Sequence, residues 1–453
     1  MLKTIRSAWK VPELRNKLLF TLFALLIFRL GCAIPVPFIN RELLQNYMQT
    51  QSGTIFGLLN VMSGDAFGQA TVFALGIQPY INASIIIQLL TIAIPALENM
   101  AKEGGEEGKK KIAAITRYTT VGIALLQGFG YYTMIRSYSN GAILSVPEGW
   151  GVWAAIVIIL AFMAGSSFVM WLGEQVTEFG IGNGISIILF AGIISRGPNL
   201  IMNMINGVRN WASGAVYSED NPISILHPAF IPLLIVGMLA LVIFIVFIND
   251  AERRIPVQYA KRVVGRKMYG GQSTHLPMKV NMSGVLPIIF AQSIASLPAT
   301  IGMFFGKTSK SGGAWGAFLT AFNNTGWIYG IVYVLLIVFF SYFYSTIQFD
   351  PVEVANNLKK NGGFIPGFRP GRPTADFFRK VLSKITLFGA IYLGIVAILP
   401  TITGNIMGAA GSSAGQSLAI GGTSIIIVVG VALETVQAME AQLMMRNYKG
   451  FLE

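Results

Sequence analysis

The sequence predicts an all-α polytopic membrane protein, and three observations carry that prediction. Ten long apolar stretches run through the 453 residues, and most of the Lys and Arg lie in alternate gaps between them. The chain is also 53% hydrophobic and only 12% charged, with a mean hydropathy of +0.62. Soluble domains carry roughly 25% charged residues. A soluble chain this apolar would expose patches that aggregate, whereas lipid accepts them.

A bilayer core needs ~20 consecutive, mainly apolar residues per spanning helix. Spans are expected near 18–37, 72–95, 113–134, 151–171, 184–205, 228–248, 284–305, 327–347, 385–402 and 418–436. The first follows a basic N-terminus, as in a signal peptide. It runs into Pro35-Val36-Pro37 with no small-residue cleavage pattern, so a retained helix is expected. A single cysteine, Cys32, excludes an intrachain disulfide framework and a Cys-rich metal site.

Orientation follows from Lys and Arg in the connections. One side collects Lys3, Arg6, Lys10, Arg15 and Lys17, then Lys102, Lys109, Lys110, Lys111 and Arg117. The stretches 249–283 and 348–384 add seven basic residues each, and Arg446 and Lys449 lie in the tail. The other side holds only Arg41, Arg136, Arg196, Arg209, Lys307 and Lys310. Both termini are therefore expected in the cytoplasm. The short connection 172–183 has Glu174 and Glu178 and no basic residue, too little to overturn the rest.

Topology alone accounts for much of the +13 net charge. The connections 249–283 and 348–384 are nevertheless longer than helix–helix links need. They set basic residues among Gly and Pro, as in Val264-Gly265-Arg266-Lys267 and Ile365-Pro366-Gly367-Phe368-Arg369-Pro370-Gly371. Such loops suit RNA, an acidic protein surface or anionic headgroups, and composition does not choose among them.

Ionisable residues at membrane depth mark function by default. Here they are nearly absent. Arg29 and Glu434 lie near the ends of the first and tenth spans, where snorkelling to an interface is expected. Arg196 precedes Gly197-Pro198, which brings forward the end of the fifth span. An empty midplane counts against a proton- or ion-coupled transporter. The only histidines, His227 and His275, fall on opposite sides by this topology and cannot share a metal. HExxH and GxSxG are missing. Gly104–Lys110 fails as a phosphate loop on glycine spacing and on its missing hydroxyl. Gly180, Gly182 and Gly184 precede a membrane helix rather than follow a strand. No cofactor and no catalytic residue is expected.

Two features remain. Ile55-Phe56-Gly57-Leu58-Leu59-Asn60-Val61-Met62-Ser63-Gly64-Asp65-Ala66-Phe67-Gly68 is apolar but too short to span, and glycines interrupt it. On its residues alone it is equally a re-entrant or interfacial packing segment. Ile77 and Ile81 follow Gly76, and Ile185 and Leu189 follow Gly184, as i, i+4 pairs on one helix face. Taken alone these are ordinary lipid-facing or core residues.

Longer stretches carry a resemblance. They are Phe73–Leu90 (FALGIQPYINASIIIQLL), Trp171–Ile188 (WLGEQVTEFGIGNGISII), Gln272–Pro287 (QSTHLPMKVNMSGVLP), Asn356–Gly371 (NNLKKNGGFIPGFRPG) and Gly421–Ser424 (GGTS). In these the chain resembles, along its full length, the SecY family of channel subunits of the bacterial Sec protein translocase. The resemblance implies ten transmembrane helices in two inverted five-helix repeats around a central hourglass pore, residues 1–212 and 213–453, hinged near 206–227. It implies a pore ring of Ile77, Ile81, Ile185, Leu189, Ile289 and Ile427, with the 55–68 segment as a plug above it. A lateral gate between helices 2–3 and 7–8 would include Gln88 and Gln127. Arg253, Arg254, Arg266, Lys267, Lys359, Lys360 and Arg369 would dock the translating ribosome, through its RNA, and the SecA motor ATPase.

The resemblance further implies SecE and SecG as membrane partners, signal sequences and nascent polypeptides as clients, and contact with membrane lipid at the gate. Three departures from the family pattern stand out: Lys267 where arginine is common, Phe179 in place of an arginine, and one extra residue between Lys102 and Lys111. The expected function is a non-enzymatic protein-conducting channel of the cell membrane. The rivals are a small-solute secondary transporter, which inverted repeats would also serve, and an intramembrane enzyme, which lacks a paired acid, base or metal site.

Overall fold

The computed structural model describes residues 2–50, 55–102, 104–137, 143–147, 149–213, 230–259, 262–264, 267–269, 273–282, 284–304, 316, 327–409 and 414–449. Helices dominate. The first are α1 (Leu2–Lys10), α2 (Pro12–Gly31), α3 (Arg41–Thr50) and the short α4 (Ile55–Met62). There follow α5 (Gln78–Ala93), α6 (Pro95–Lys102), α7 (Gly105–Ser137), α8 (Gly151–Phe179), α9 (Gly184–Ile194), α10 (Gly197–Ala212) and α11 (Phe230–Asn249). Next come β1 (Glu252–Tyr259), β2 (Arg262–Val264), β3 (Lys267–Tyr269) and β4 (Ser273–Lys279). The chain continues through α12 (Leu286–Ala295), α13 (Leu297–Phe304), α14 (Trp327–Gln348), α15 (Pro351–Lys360) and β5 (Gly363–Phe364). It ends in the long α16 (Arg372–Ala409) and α17 (Ala414–Lys449).

Each of the ten expected apolar stretches overlaps a helix, but prolines cut several of them. The stretches 184–205 and 284–305 are each two helices, broken near Pro198 and Pro298. The α5–α6 pair bends by 104° at Ile94-Pro95. Proline lacks the amide hydrogen that a helix interior needs, and its ring crowds the preceding turn. Residues 72–77 are turns rather than helix, so α5 begins later than the apolar run does. Four described helical segments are long and apolar enough to cross a bilayer by themselves, and a fifth if α5 and α6 count as one bent span.

One contiguous apolar core joins α2, α5, α7, α8, α9, α12, α14, α16 and α17 through residues such as Phe28, Ile85, Tyr131, Phe162, Leu189, Ile289, Phe340, Val396 and Ile427. The outward faces are apolar as well: Phe23, Leu126, Trp153, Phe247, Leu335 and Ile395 are all exposed. Patches of that extent mark a lipid-facing surface.

The stretches 249–283 and 348–384, read from sequence as long basic loops, are instead one folded unit. β1 pairs antiparallel with β4, Ile255 opposite Leu276, and with β5, Gln258 opposite Phe364; β2 and β3 form a separate hairpin. Ile255, Val257 and Met278 from the sheet pack on Ala355 and Leu358 of α15 and on Phe378 and Leu382 of α16. Asp350 starts α15 by accepting from the amides of Val352 and Glu353, at 2.8 and 3.4 Å.

Candidate functional site

The aliphatic pairs come from helices that meet. Ile77 caps the start of α5, and its carbonyl accepts the Ile81 amide, so the two residues stack one turn apart. Asn183 opens α9 by accepting from the amides of Ile185 and Ser186, which sets Ile185 and Leu189 one turn apart in the same way. Gly184 lets α9 lie directly on α8, because a Cβ there would collide with the Gly173 carbonyl. That close packing is the use of the last glycine in Gly180-Ile181-Gly182-Asn183-Gly184. Around Gly173 the side chains of Ile77 and Ile185 converge, each within 3.6 Å of where a Cβ would stand.

Ile289 of α12 and Ile427 of α17 complete the set. Ile77, Ile81, Leu189, Ile289 and Ile427 are 4, 2, 1, 2 and 1% exposed and share one apolar cluster, with Ile185 packed against it. Five of the six expected ring residues are thus in the central core, and the sixth packs against it. Burial alone does not single them out on α9, since Ile187 and Ile188 are buried too.

The segment 55–68 folds onto this cluster. Met62 and Phe67 belong to the same apolar core, and both line a cavity of about 30 Å³ together with Leu59, Ser63, Ile77 and Leu189. After α4 the chain reverses through two residues in the left-handed region, Gly64 at φ +66° and Asp65 at φ +70°. Asn60 holds the reversal: its side-chain amide donates to Asp65 at 3.0 Å, and its side-chain carbonyl accepts the Gly68 amide at 2.7 Å. Phe67 stacks on Tyr131 of α7 at 4.4 Å between ring centroids, and the Tyr131 hydroxyl donates to the Phe67 carbonyl. Nothing is described for the side chains of Ile55, Phe56 and Leu58.

The SecY family model matches residues 71–436. The protein translocase subunit SecY of Streptomyces coelicolor is 45% identical over 464 residues, covering 100% of both chains. The chain belongs to the SecY family. Its fold is that of solved SecY and Sec61 channels. A SecY studied for the part its plug domain plays in stabilising the closed channel and maintaining a membrane seal superposes with a TM-score of 0.61 at 17% identity. That match covers 94% of this chain and 92% of the other. Canine Sec61 from a ribosome–channel complex superposes with a TM-score of 0.57 at 16% identity, with the same coverage.

In this SecY-family chain the two expected gate residues make different contacts. Gln88 of α5 accepts a short hydrogen bond from the Tyr344 hydroxyl of α14, and its amide donates to Ser84 at 3.3 Å. Gln127 of α7 lines the small cavity, where Gln78 and Thr300 are its neighbours. Gln78 was not anticipated. Its amide donates to Ser293 of α12 at 3.2 Å, a second polar link from α5 to the helices that follow the β unit.

The expected docking residues divide by location. Arg253 and Arg254 are exposed on β1, and Arg254 pairs with Glu252 at 2.8 Å. Lys359 and Lys360 form the exposed last turn of α15, where cations suit the helix dipole. Arg369 is exposed on the turn before α16. That turn is fixed by the Thr374 hydroxyl donating to the Arg369 carbonyl at 2.8 Å and by Phe368 packing against Phe377, with tilted rings 4.4 Å apart between centroids. Lys267 begins β3, while Arg266 lies outside the described residues, as do His227 and much of the expected hinge.

Two ionisable residues near the span ends have contacts within the protein. Arg29, exposed near the end of α2, donates to the Gly64 carbonyl at 3.3 Å. Glu434, exposed on α17, sets its carboxylate against Gly284, just before α12.

Proposed function

We propose that this chain is the protein-conducting channel of a Sec translocase, passing unfolded polypeptides outward and releasing apolar helices sideways into the bilayer. What supports this reading best is the cluster of Ile77, Ile81, Leu189, Ile289 and Ile427, drawn from four helices and lying under the 55–68 segment. Branched aliphatics have no fixed hydrogen bonds to break, so such a ring fits many passing side chains while resisting water and ions. The 55–68 segment acts as the plug. Residues 1–212 and 213–453 form the two halves, and the gate opens between α5–α7 and α12–α14, where Gln78–Ser293 and Gln88–Tyr344 bridge it.

The folded basic unit of β1, β4, β5, α15 and α16 is the cytoplasmic docking platform, with Arg253, Arg254, Arg266, Lys267, Lys359, Lys360 and Arg369 as its cations. Both termini lie in the cytoplasm. Energy comes from SecA or from translation, with SecE and SecG beside the channel, and the chain itself carries out no covalent chemistry. The test places a photo-crosslinking residue at position 81 in vesicles containing SecE, SecA and a precursor stalled midway. An ATP-dependent crosslink to the precursor is expected; a stalled precursor that never crosslinks would reject this path.

A further inference from the structure

The outer turn of the 55–68 segment carries a carboxylate that the ring and the docking platform do not use. Asp65 stands in the left-handed region, at φ +70°. Three donors converge on it. Arg196 Nε lies 3.1 Å from Oδ1, Asn60 Nδ2 lies 3.0 Å from Oδ1, and Asn199 Nδ2 lies 3.3 Å from Oδ2. One residue earlier, Arg29 Nη1 donates to the Gly64 carbonyl at 3.3 Å. Arg196 lies in the break between α9 and α10, and Asn199 in the first turn of α10. The end of α9 meets the segment twice more: a Cβ on Gly192 would stand 2.8 Å from the Met62 carbonyl, and one on Gly64 would stand 3.0 Å from both the Gly192 carbonyl and the Ser195 hydroxyl.

We infer that Asp65, Arg196 and Asn199 form a clasp that holds the plug seated, with Arg29 as a second point of attachment. This rests on the plug reading above. The apolar contacts of Met62 and Phe67 exclude water but give the segment no unique position, because such contacts are non-directional. A carboxylate held by a guanidinium and two amides fixes position and register. With Asp65 and Arg196 side chains 22 and 30% exposed, water can take over their bonds when the plug leaves. The clasp is therefore a reversible hold rather than a permanent weld. Every partner lies within residues 1–212, so separating the proposed halves does not by itself break it, and plug release is a step distinct from gate opening.

The test is resting ion conductance of the reconstituted channel in planar bilayers, with Asp65→Asn, Arg196→Gln, the double variant, Asn199→Asp and a deletion of 55–68. The deletion should leak strongly. Asp65→Asn and Arg196→Gln should each raise conductance roughly fivefold to tenfold, and the double variant should leak little more than either alone, since the two share one interaction. Asn199→Asp, nearly isosteric, should leak as well by setting two carboxylates together. A leaky deletion with silent point variants would overturn the clasp and leave the plug standing. Strictly multiplicative effects in the double variant would overturn the pairing. A silent deletion would remove the plug reading and the clasp with it.

Discussion

Gly192→Ala isolates the seating of the plug from the stability of the channel. Gly192 is buried in the last turn of α9, and an added Cβ would stand 2.8 Å from the Met62 carbonyl oxygen, 3.5 Å from the Gly64 nitrogen and 3.6 Å from the Met62 carbonyl carbon. The first distance is too short for carbon against oxygen, and its partner is backbone, which cannot rotate away. Alanine gains about 1 kcal/mol over glycine in a helix interior. That gain is present whether or not the plug is seated, so it cancels from the seating equilibrium. The collision exists only in the seated state and costs about 1–3 kcal/mol, the usual range for overpacking. The unseated fraction should therefore rise roughly 5- to 150-fold. Single-channel recording of the resting channel reads this directly. Gly122→Ala in α7 is the control, since nothing lies within 4 Å of its Cβ position and it gains helix propensity without a collision. If Gly192→Ala, inserted at parental levels, conducts no more than Gly122→Ala, then the 55–68 segment is not what closes the pore.

Three other outcomes are expected. Ile81→Ser and Ile427→Ser put hydroxyls at positions 2 and 1% exposed, so both should raise resting conductance by wetting the constriction; a dry, silent channel would reject the ring assignment. Arg369→Glu should block motor-driven export in a vesicle assay while protease resistance of the platform stays parental, because the Arg369 side chain is exposed and its turn is held by backbone and Thr374; normal export would remove the docking role. Tyr344→Phe keeps the ring packed near Phe290 but leaves the half-buried Gln88 without this donor, at a cost of about 1 kcal/mol. Spin-label distances between α5 and α14 should then broaden toward a more open gate, and an unchanged distribution would discard Tyr344 as a bolt.

The parts of this structure legible in the sequence are those set by local pattern. Apolar runs mark the helices, and Pro95, Pro198 and Pro298 mark where they break. Ring residues such as Ile81 and Leu189 are recognisable only through longer stretches, since an i, i+4 aliphatic pair occurs on any buried helix. The platform was hidden because its core is assembled from both sides of two membrane helices: Ile255 and Val257 form one edge, and Phe378 and Leu382 lie more than a hundred residues later. Neither half alone shows a complete apolar face. The contacts of Arg29 and Arg196 are illegible in the sequence for a related reason. A basic residue near the end of an apolar run looks the same whether it reaches headgroups or a folded-back loop.

A closure that must open for every client faces two opposed requirements, and the residues divide them between two kinds of contact. Sealing requires that no water file persists, which branched aliphatics and Phe67 provide without directional bonds. Location requires directional bonds, but a fully buried ion pair would cost several kcal/mol per ion to desolvate and several more to break. The polar contacts of the proposed plug avoid that extreme. Asp65 and Arg196 keep part of their surface in water, and the Gly64 and Phe67 carbonyls are held by single donors on α2 and α7. Each bond is worth on the order of 1 kcal/mol net, so no one of them dominates. Moving the same charges inward to the ring would invert the arrangement, wetting the seal and locking the plug at once. The near absence of ionisable residues from the middle of the spans is thus a condition for a reversible seal as well as for insertion into lipid.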